Sequence, residues 1–256
     1  MSKISDRLTK LGQVERTGFG FGTHATGTKI PVILVGVRID RPGDAGGLSA
    51  DLFILAPDST GAAQTNPVKG VDLWGVAISG GSGDEIDLAI KAGADFVVVE
   101  DESAPGAALN DDEVGRGLVI ANEVSDDRAR AIDSSPFDFL IVDGSPITLP
   151  LSVGATLDIQ EQLARYSRHI FLKLAEPPEK SDLEILRDMG VSALIYDSVR
   201  AGKVDLAGLR ETIDKLEPKK TRSLARAVLP RGGKAVAEQE DDVSDPDEPD
   251  EDEDWE

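Results

Sequence analysis

Short apolar runs recur along most of this chain, and each is set off by a helix-breaking residue. Three of them, at residues 93–100, 136–143 and 190–197, share one layout, with a breaker at the first position and an acid at the last. Apolar runs that do not alternate with polar residues, and that are rich in Val, Ile and Phe, are typical of strands buried in a parallel sheet. Repeated units of helix, breaker and strand predict an α/β fold.

The same pattern predicts eight strands, at residues 30–39, 52–56, 73–79, 96–100, 118–121, 137–142, 169–175 and 191–196. Helices are predicted at about 3–12, 84–92, 126–133, 157–168, 181–189 and 205–216, the fifth of them starting with a capping box from Ser181 to Glu184. The first two units lack clear helices. Eight alternating units that close on themselves make a (βα)8 TIM barrel over residues 30–216. The alternative is a doubly wound open parallel sheet.

One sequence segment resembles segments of known barrels. The run Ala-Gly-Ala-Asp-Phe-Val-Val-Val at residues 92–99 is similar to segments of TIM barrels that bind phosphate or flavin. The resemblance is to the superfamily as a fold, and it implies a phosphorylated ligand or, in one alternative, FMN.

The rest of the chain divides into three further segments. Residues 1–29 are predicted to form an N-terminal helix and a glycine-rich plug over one end of the domain. Residues 217–237 make a basic linker, and residues 238–256 an acidic tail that is too densely charged to build a core. We interpret the tail as a solubilising segment. The alternatives are a docking arm for a basic protein partner and a lid that folds onto the basic linker.

Charge and composition narrow the function classes. The formal net charge is −21, but residues 238–256 hold 13 acids and no base, which leaves 35 acids and 27 bases elsewhere. A body without a basic surplus argues against nucleic-acid binding. The absence of cysteine excludes thiolate chemistry. Because no apolar run reaches membrane-spanning length and residues 1–7 do not resemble a signal peptide, we expect a cytoplasmic protein without membrane contact.

Three acids are candidates for chemistry. Glu100, Asp143 and Asp197 end the predicted strands four, six and eight, and alternate strands of a barrel contribute side chains to one layer. Converging carboxylates persist when they share a proton, bind a cation or pair with a base. The pattern therefore predicts acid–base groups or a divalent-metal site, with Mg²⁺ as the ion. In the other interpretation these acids meet only solvent or loop N–H groups.

Lys173 is the fourth candidate, because it interrupts an otherwise apolar strand. A charge inside a strand needs a partner, and the nearest acids are predicted to be Asp143 and Asp197. In this one feature the lysine resembles the strand lysine of Schiff-base aldolase barrels, which implies a nucleophilic role. The alternative is a structural ion pair inside the barrel.

Two loops are candidates for anion binding. TIM barrels often hold phosphate in the loops after strands seven and eight, and a helix N-terminus is a general anion site. The candidate residues are Ser198, Arg200 and Gly202 after strand eight, and Ser79, Gly80 and Gly81 after strand three.

Taken together, these patterns predict an enzyme that acts on a small molecule. The leading hypothesis is lyase or aldolase chemistry on a carbonyl or carboxylate substrate, which in one form is phosphorylated. The alternatives are a non-catalytic barrel that works as a binding or assembly module and an FMN-type oxidoreductase barrel.

Overall fold

The computed structural model describes residues 2–13, 30–121 and 123–218. Eight parallel strands pair in chain order, and the last pairs with the first, so that the sheet closes into a barrel. This confirms the TIM barrel and rules out the open-sheet alternative. The strands are β1 (Leu34–Ile39), β2 (Leu52–Leu55), β3 (Trp74–Ile78), β4 (Phe96–Val99), β5 (Gly115–Ile120), β6 (Phe139–Asp143), β7 (His169–Lys173) and β8 (Val191–Asp197).

Helices follow most of the strands. They are α1 (Lys3–Thr9), α2 (Gly83–Lys91), α3 (Asp126–Ser134), α4 (Val153–Leu163), α5 (Lys180–Met189), α6 (Ser198–Ala201) and α7 (Leu206–Asp214). Between β1 and β2 there is only a 3₁₀ turn, Pro42–Ala45, and residues 56–73 contain no helix, as the irregular start of the pattern predicts. No helix in the described part of the chain is both long and apolar enough to cross a membrane.

Aromatic rings fill the centre of the barrel. Phe139 stacks on Phe171 with ring centroids 4.3 Å apart, and Phe96 meets Phe139 edge-on at 5.7 Å. The neighbouring strands have glycine where these rings approach. A Cβ on Gly117 would lie 2.3 Å from Phe139 Cε2, and one on Gly75 would lie 2.3 Å from Phe96 Cδ2. The phenylalanine rings thus occupy the space left by glycines on the adjacent strands, which keeps the interior closely packed.

Helix α1 closes the N-terminal end of the barrel. Ile4 is fully buried in the interior cluster. The backbone N–H groups of Lys3 and Ile4 donate to the two carboxylate oxygens of Asp95, at 2.8 and 2.7 Å, just ahead of β4. The carboxyl ends of the strands form the other end, where TIM-barrel sites lie.

Several predicted boundaries were wrong. Helix α4 begins at Val153, after Ser152 caps it by accepting a hydrogen bond from the Ala155 N–H, and it ends at Leu163, short of the predicted 168. Helix α5 begins at Lys180 and has no side-chain cap, so the capping box predicted from Ser181 does not form. Helix α6 was not predicted. The glycine-rich plug at 18–29, residues 219–237 of the basic linker and the acidic tail lie outside the described residues, and the proposed domain limits stay predictions.

Candidate functional site

Eight side chains, one from each strand, line the C-terminal rim of the barrel. Each strand alternates between interior and exterior positions, and the interior apolar cluster fixes which positions face inward. The same alternation, continued to the strand ends, gives the rim residues: Arg38, Ala56, Ser79, Glu100, Ala121, Asp143, Lys173 and Asp197. The three acids lie on even-numbered strands and the two cations on odd-numbered strands, so they belong to two adjacent layers of the mouth. Arg38 is the one charged rim residue that the sequence pattern did not predict.

Lys173 lies between two acids on the adjacent strands. Its Nζ is 3.2 Å from Asp197 Oδ2, and both side chains are about one-third exposed (32% and 34%). Asp143 is the register partner of Lys173 on β6. The order along the rim is therefore acid, base, acid on three consecutive strands.

Asp143 is held as a carboxylate. Burial raises its pKa, but hydrogen bonds from Ser145 and the charge of Lys173 outweigh that effect and bring the pKa below its ordinary value. The Ser145 backbone N–H donates to Asp143 Oδ1 at 2.9 Å. An ionised carboxylate can accept a proton, and the lowered pKa makes Asp143 a weak base.

Glu100 lies across the mouth, paired with Arg38. Arg38 Nε donates to Glu100 Oε1 at 3.0 Å and Arg38 Nη2 donates to Oε2 at 3.2 Å, which makes a two-pronged pair. The side chains are 31% and 23% exposed. Like Lys173, Arg38 interrupts an apolar strand, and that signal was available in the sequence.

The predicted metal site has no support in this geometry. Among residues 2–13, 30–121 and 123–218, no three His, Asp or Glu side chains are grouped so as to hold a metal ion. Glu100 pairs with Arg38, and Asp197 pairs with Lys173. Mg²⁺ at Glu100, Asp143 and Asp197 therefore stays a prediction. Asp58, an acid that follows β2, accepts three hydrogen bonds from Thr60 and Ala62 within its own turn.

The loop after β3 has its backbone donors largely occupied. The N–H groups of Ser79 and Gly80 both donate to the Gly61 carbonyl at 2.9 Å. The Ser82 N–H donates to the Glu85 carboxylate at 2.8 Å, at the start of α2. An anion would compete with these bonds, so anion binding at Ser79, Gly80 and Gly81 stays a prediction.

The loop after β8 contains a short helix and an arginine that contacts the loop after β7. Ser198 begins the short helix α6, which Gly202 ends. Arg200 Nη1 donates to the Ala175 carbonyl at 3.2 Å and so links this helix to the loop after β7. A short extra helix beside the loops after strands seven and eight is where many TIM barrels bind phosphate. Binding by Ser198, Arg200 and Gly202 also stays a prediction.

The fold is shared with several solved enzymes. A mutant tryptophan synthase α-subunit from Pyrococcus furiosus matches with 11% identity and a TM-score of 0.52, over 73% of this chain and 98% of that one. The 3-keto-L-gulonate-6-phosphate decarboxylase of Vibrio cholerae matches with 13% identity and a TM-score of 0.51, over 73% and 99%. Thiamine phosphate pyrophosphorylase from Pyrococcus furiosus matches with 15% identity and a TM-score of 0.50, over 71% and 96%.

At these identities the likeness shows the fold alone. No protein-family model matches the chain, and no curated protein matches it either. The fold and the charged rim residues therefore define the class, a TIM barrel with a charged mouth.

Proposed function

We propose that this barrel is a lyase that acts on a small carbonyl or carboxylate substrate, with Lys173 as the catalytic cation. The observation that carries the proposal is the contact between Lys173 Nζ and Asp197 Oδ2, 3.2 Å apart at the barrel mouth, with Asp143 on the other side. A fixed positive charge stabilises an oxyanion that develops as a carbon–carbon bond beside a carbonyl breaks.

Each rim residue has a role in this proposal. Lys173 binds the carbonyl oxygen and stabilises its negative charge. Asp197 orients the ammonium group, and Asp143, which is ionised, accepts or returns the proton at the reacting carbon. Glu100 acts through Arg38 rather than on the substrate. We favour the cation over the Schiff-base nucleophile because Lys173 Nζ is already held in an ion pair with Asp197. The proposal requires neither Mg²⁺ nor FMN.

A phosphate on the substrate is part of the proposal. Ser198 and Arg200 both lie in the short helix α6, and Arg200 links this helix to the loop after β7. Two of the solved structures with this fold are named for a phosphorylated compound, 3-keto-L-gulonate 6-phosphate and thiamine phosphate. Those names support the choice of phosphorylated compounds for the first assays.

The decisive experiment is a turnover assay of the full chain. Small 2-oxo and 3-oxo acids, with and without a phosphate group, are incubated with the protein and with Lys173→Met, and products are identified by mass spectrometry. We expect turnover that Lys173→Met reduces at least a hundredfold, in line with one lost electrostatic contact. Lys180→Met, which removes an exposed lysine paired with Glu184, is the matched control.

Two results would change the proposal. Turnover that is equal in Lys173→Met and the parent protein would contradict a catalytic lysine. Borohydride trapping of substrate on Lys173 would replace the cation by a Schiff-base nucleophile.

A second candidate is a binding or assembly module without catalysis. The two ion pairs at the mouth support it, because pairs of this kind also serve a purely structural purpose. Ligand binding without turnover of any compound in the panel would favour this candidate.

A further inference from the structure

The guanidinium of Arg38 uses only one of its two donor edges in its contact with Glu100. Of its five N–H donors, Nε–H and one Nη2–H bond to the two oxygens of Glu100. Nη1 has no hydrogen-bond partner among residues 2–13, 30–121 and 123–218. Within that part of the chain, Nη1 and the second N–H of Nη2 therefore form a second, two-pronged donor end that no residue occupies.

The pair with Glu100 fixes the plane of that donor end. Arg38 is on β1 and Glu100 follows β4, and these strands are three places apart in the sheet, so the pair spans the mouth above β2 and β3. The rim residues on β2 and β3 are small, Ala56 and Ser79. A guanidinium held at two points loses little further freedom when it binds a second planar group.

Arg38 is also adjacent to the proposed catalytic lysine. It is the register partner of Asp197 on β8, and Asp197 contacts Lys173 on β7. Two strand spacings separate the backbones of β1 and β7, about 10 Å, and both side chains face the same interior. A small molecule is therefore able to reach both cations.

Among the rim residues, two are cations, Arg38 and Lys173, and three are acids. Glu100 is paired with Arg38, and Asp197 with Lys173, so the mouth presents both cations already held by carboxylates. Of the common anions, a carboxylate matches the planar donor end of a guanidinium with two parallel hydrogen bonds.

We propose that Arg38 binds a carboxylate of the substrate and that Glu100 is the positioning residue that holds the guanidinium for it. This inference deepens the proposed function and rests on it. The substrate class becomes a compound with both a carboxylate, on Arg38, and a carbonyl oxygen, on Lys173. Any phosphate would then lie at the loop after β8.

The test is selective ligand binding by the full chain. Pyruvate and its neutral amide, pyruvamide, are titrated into the parent protein and into Arg38→Gln, with binding followed by saturation-transfer NMR. We expect Arg38→Gln to weaken pyruvate binding at least about tenfold, since a hydrogen bond between charged groups is lost. Pyruvamide binding should change little, so the ratio of the two affinities falls.

A structural role for the ion pair makes a different prediction. The double variant Arg38→Gln/Glu100→Gln leaves no unpaired charge and keeps side chains of similar size. If the pair is only structural, the double variant recovers pyruvate binding; under our inference it does not. Arg128→Gln is the matched control, because Arg128 forms a similar pair with Glu102 in which both side chains are more than half exposed.

The outcomes separate this inference from the proposed function. Pyruvate that does not bind the parent protein, or that binds Arg38→Gln equally well, overturns the carboxylate site. An Arg38-dependent pyruvate site in a protein whose turnover does not depend on Lys173 overturns the lyase proposal alone.

Discussion

Lys173 and Asp197 meet at the ends of neighbouring strands, with Nζ 3.2 Å from Oδ2. The contact joins β7 to β8 at the rim, and Asp143 on β6 continues the series. Both partners are about one-third exposed. Because the pair is partly solvated, its contribution to the free energy of unfolding is modest.

The first prediction concerns the pKa of Asp143. The charge of Lys173 helps to lower that pKa, so Lys173→Met should raise it, while burial and the Ser145 hydrogen bonds remain. A titration followed by ¹³C NMR of the side-chain carboxyl measures the midpoint in the parent protein and the variant. Lys180→Met should leave the midpoint in place. An equal midpoint in Lys173→Met would mean that the lysine charge is not felt at Asp143.

The composition of the rim was largely predictable from the sequence. Strand alternation is a local property, so the acids that end the apolar runs, Glu100, Asp143 and Asp197, were predicted to share one layer, and Lys173 was predicted to lie nearest two of them. The partner of Glu100 was not predictable. Arg38 reaches Glu100 only because the sheet closes and brings β1 opposite β4, and no local pattern encodes that distance.

Element boundaries were less predictable where tertiary packing overrides local preference. Strand β5 was predicted at 118–121, after a loop that ran to Gly115. In the structure Gly115 and Gly117 both lie inside the strand. Each makes room for a large interior side chain, Ile4 for Gly115 and Phe139 for Gly117, and that need arises only in the closed barrel.

The second prediction tests this packing. In Gly117→Ala the new Cβ would lie 2.3 Å from Phe139 Cε2, and the Phe139 ring is held by stacking on Phe171 at 4.3 Å. Overpacking of this kind lowers the free energy of unfolding by about 1–3 kcal/mol. Urea unfolding of the parent protein and the variant measures this change in the free energy of unfolding.

The control for this substitution is Gly43→Ala. A Cβ on Gly43 meets nothing within 4 Å. The change in its free energy of unfolding should stay within about 0.5 kcal/mol. Equal effects of the two substitutions would contradict the role assigned to Gly117.

The third prediction concerns the ion pair of Asp51 and Arg210 at the N-terminal end of the barrel. Arg210 Nη2 lies 2.6 Å from Asp51 Oδ1, and the Asp51 side chain is only 8% exposed. Arg210→Met leaves this carboxylate buried without its cation, so the free energy of unfolding at neutral pH should fall by roughly 1.5–3 kcal/mol. Lys215→Met, which removes an exposed pair with Glu211, should cost less than about 0.5 kcal/mol.

The same variant has a characteristic pH dependence. Burial raises the pKa of Asp51, and Arg210 opposes that rise. Without Arg210 the pKa rises further, and the protonated carboxyl needs no cation. The difference in the free energy of unfolding between the parent protein and Arg210→Met should therefore shrink as the pH falls. A difference that grew on acidification would contradict this account.

The fourth prediction uses His169 at the start of β7. Burial lowers the pKa of His169 below 6.5, and Nδ1 lies 3.1 Å from Ser192 Oγ. As the pH falls below that ordinary value, the unfolded chain takes up a proton before the folded chain does, so His169 makes the free energy of unfolding decrease. The decrease ends below the pKa of the folded state, and above the unfolded value the contribution is constant. Urea unfolding at several pH values should show this slope in the parent protein and a smaller slope in His169→Asn. A slope that is the same in both proteins would assign it to other groups.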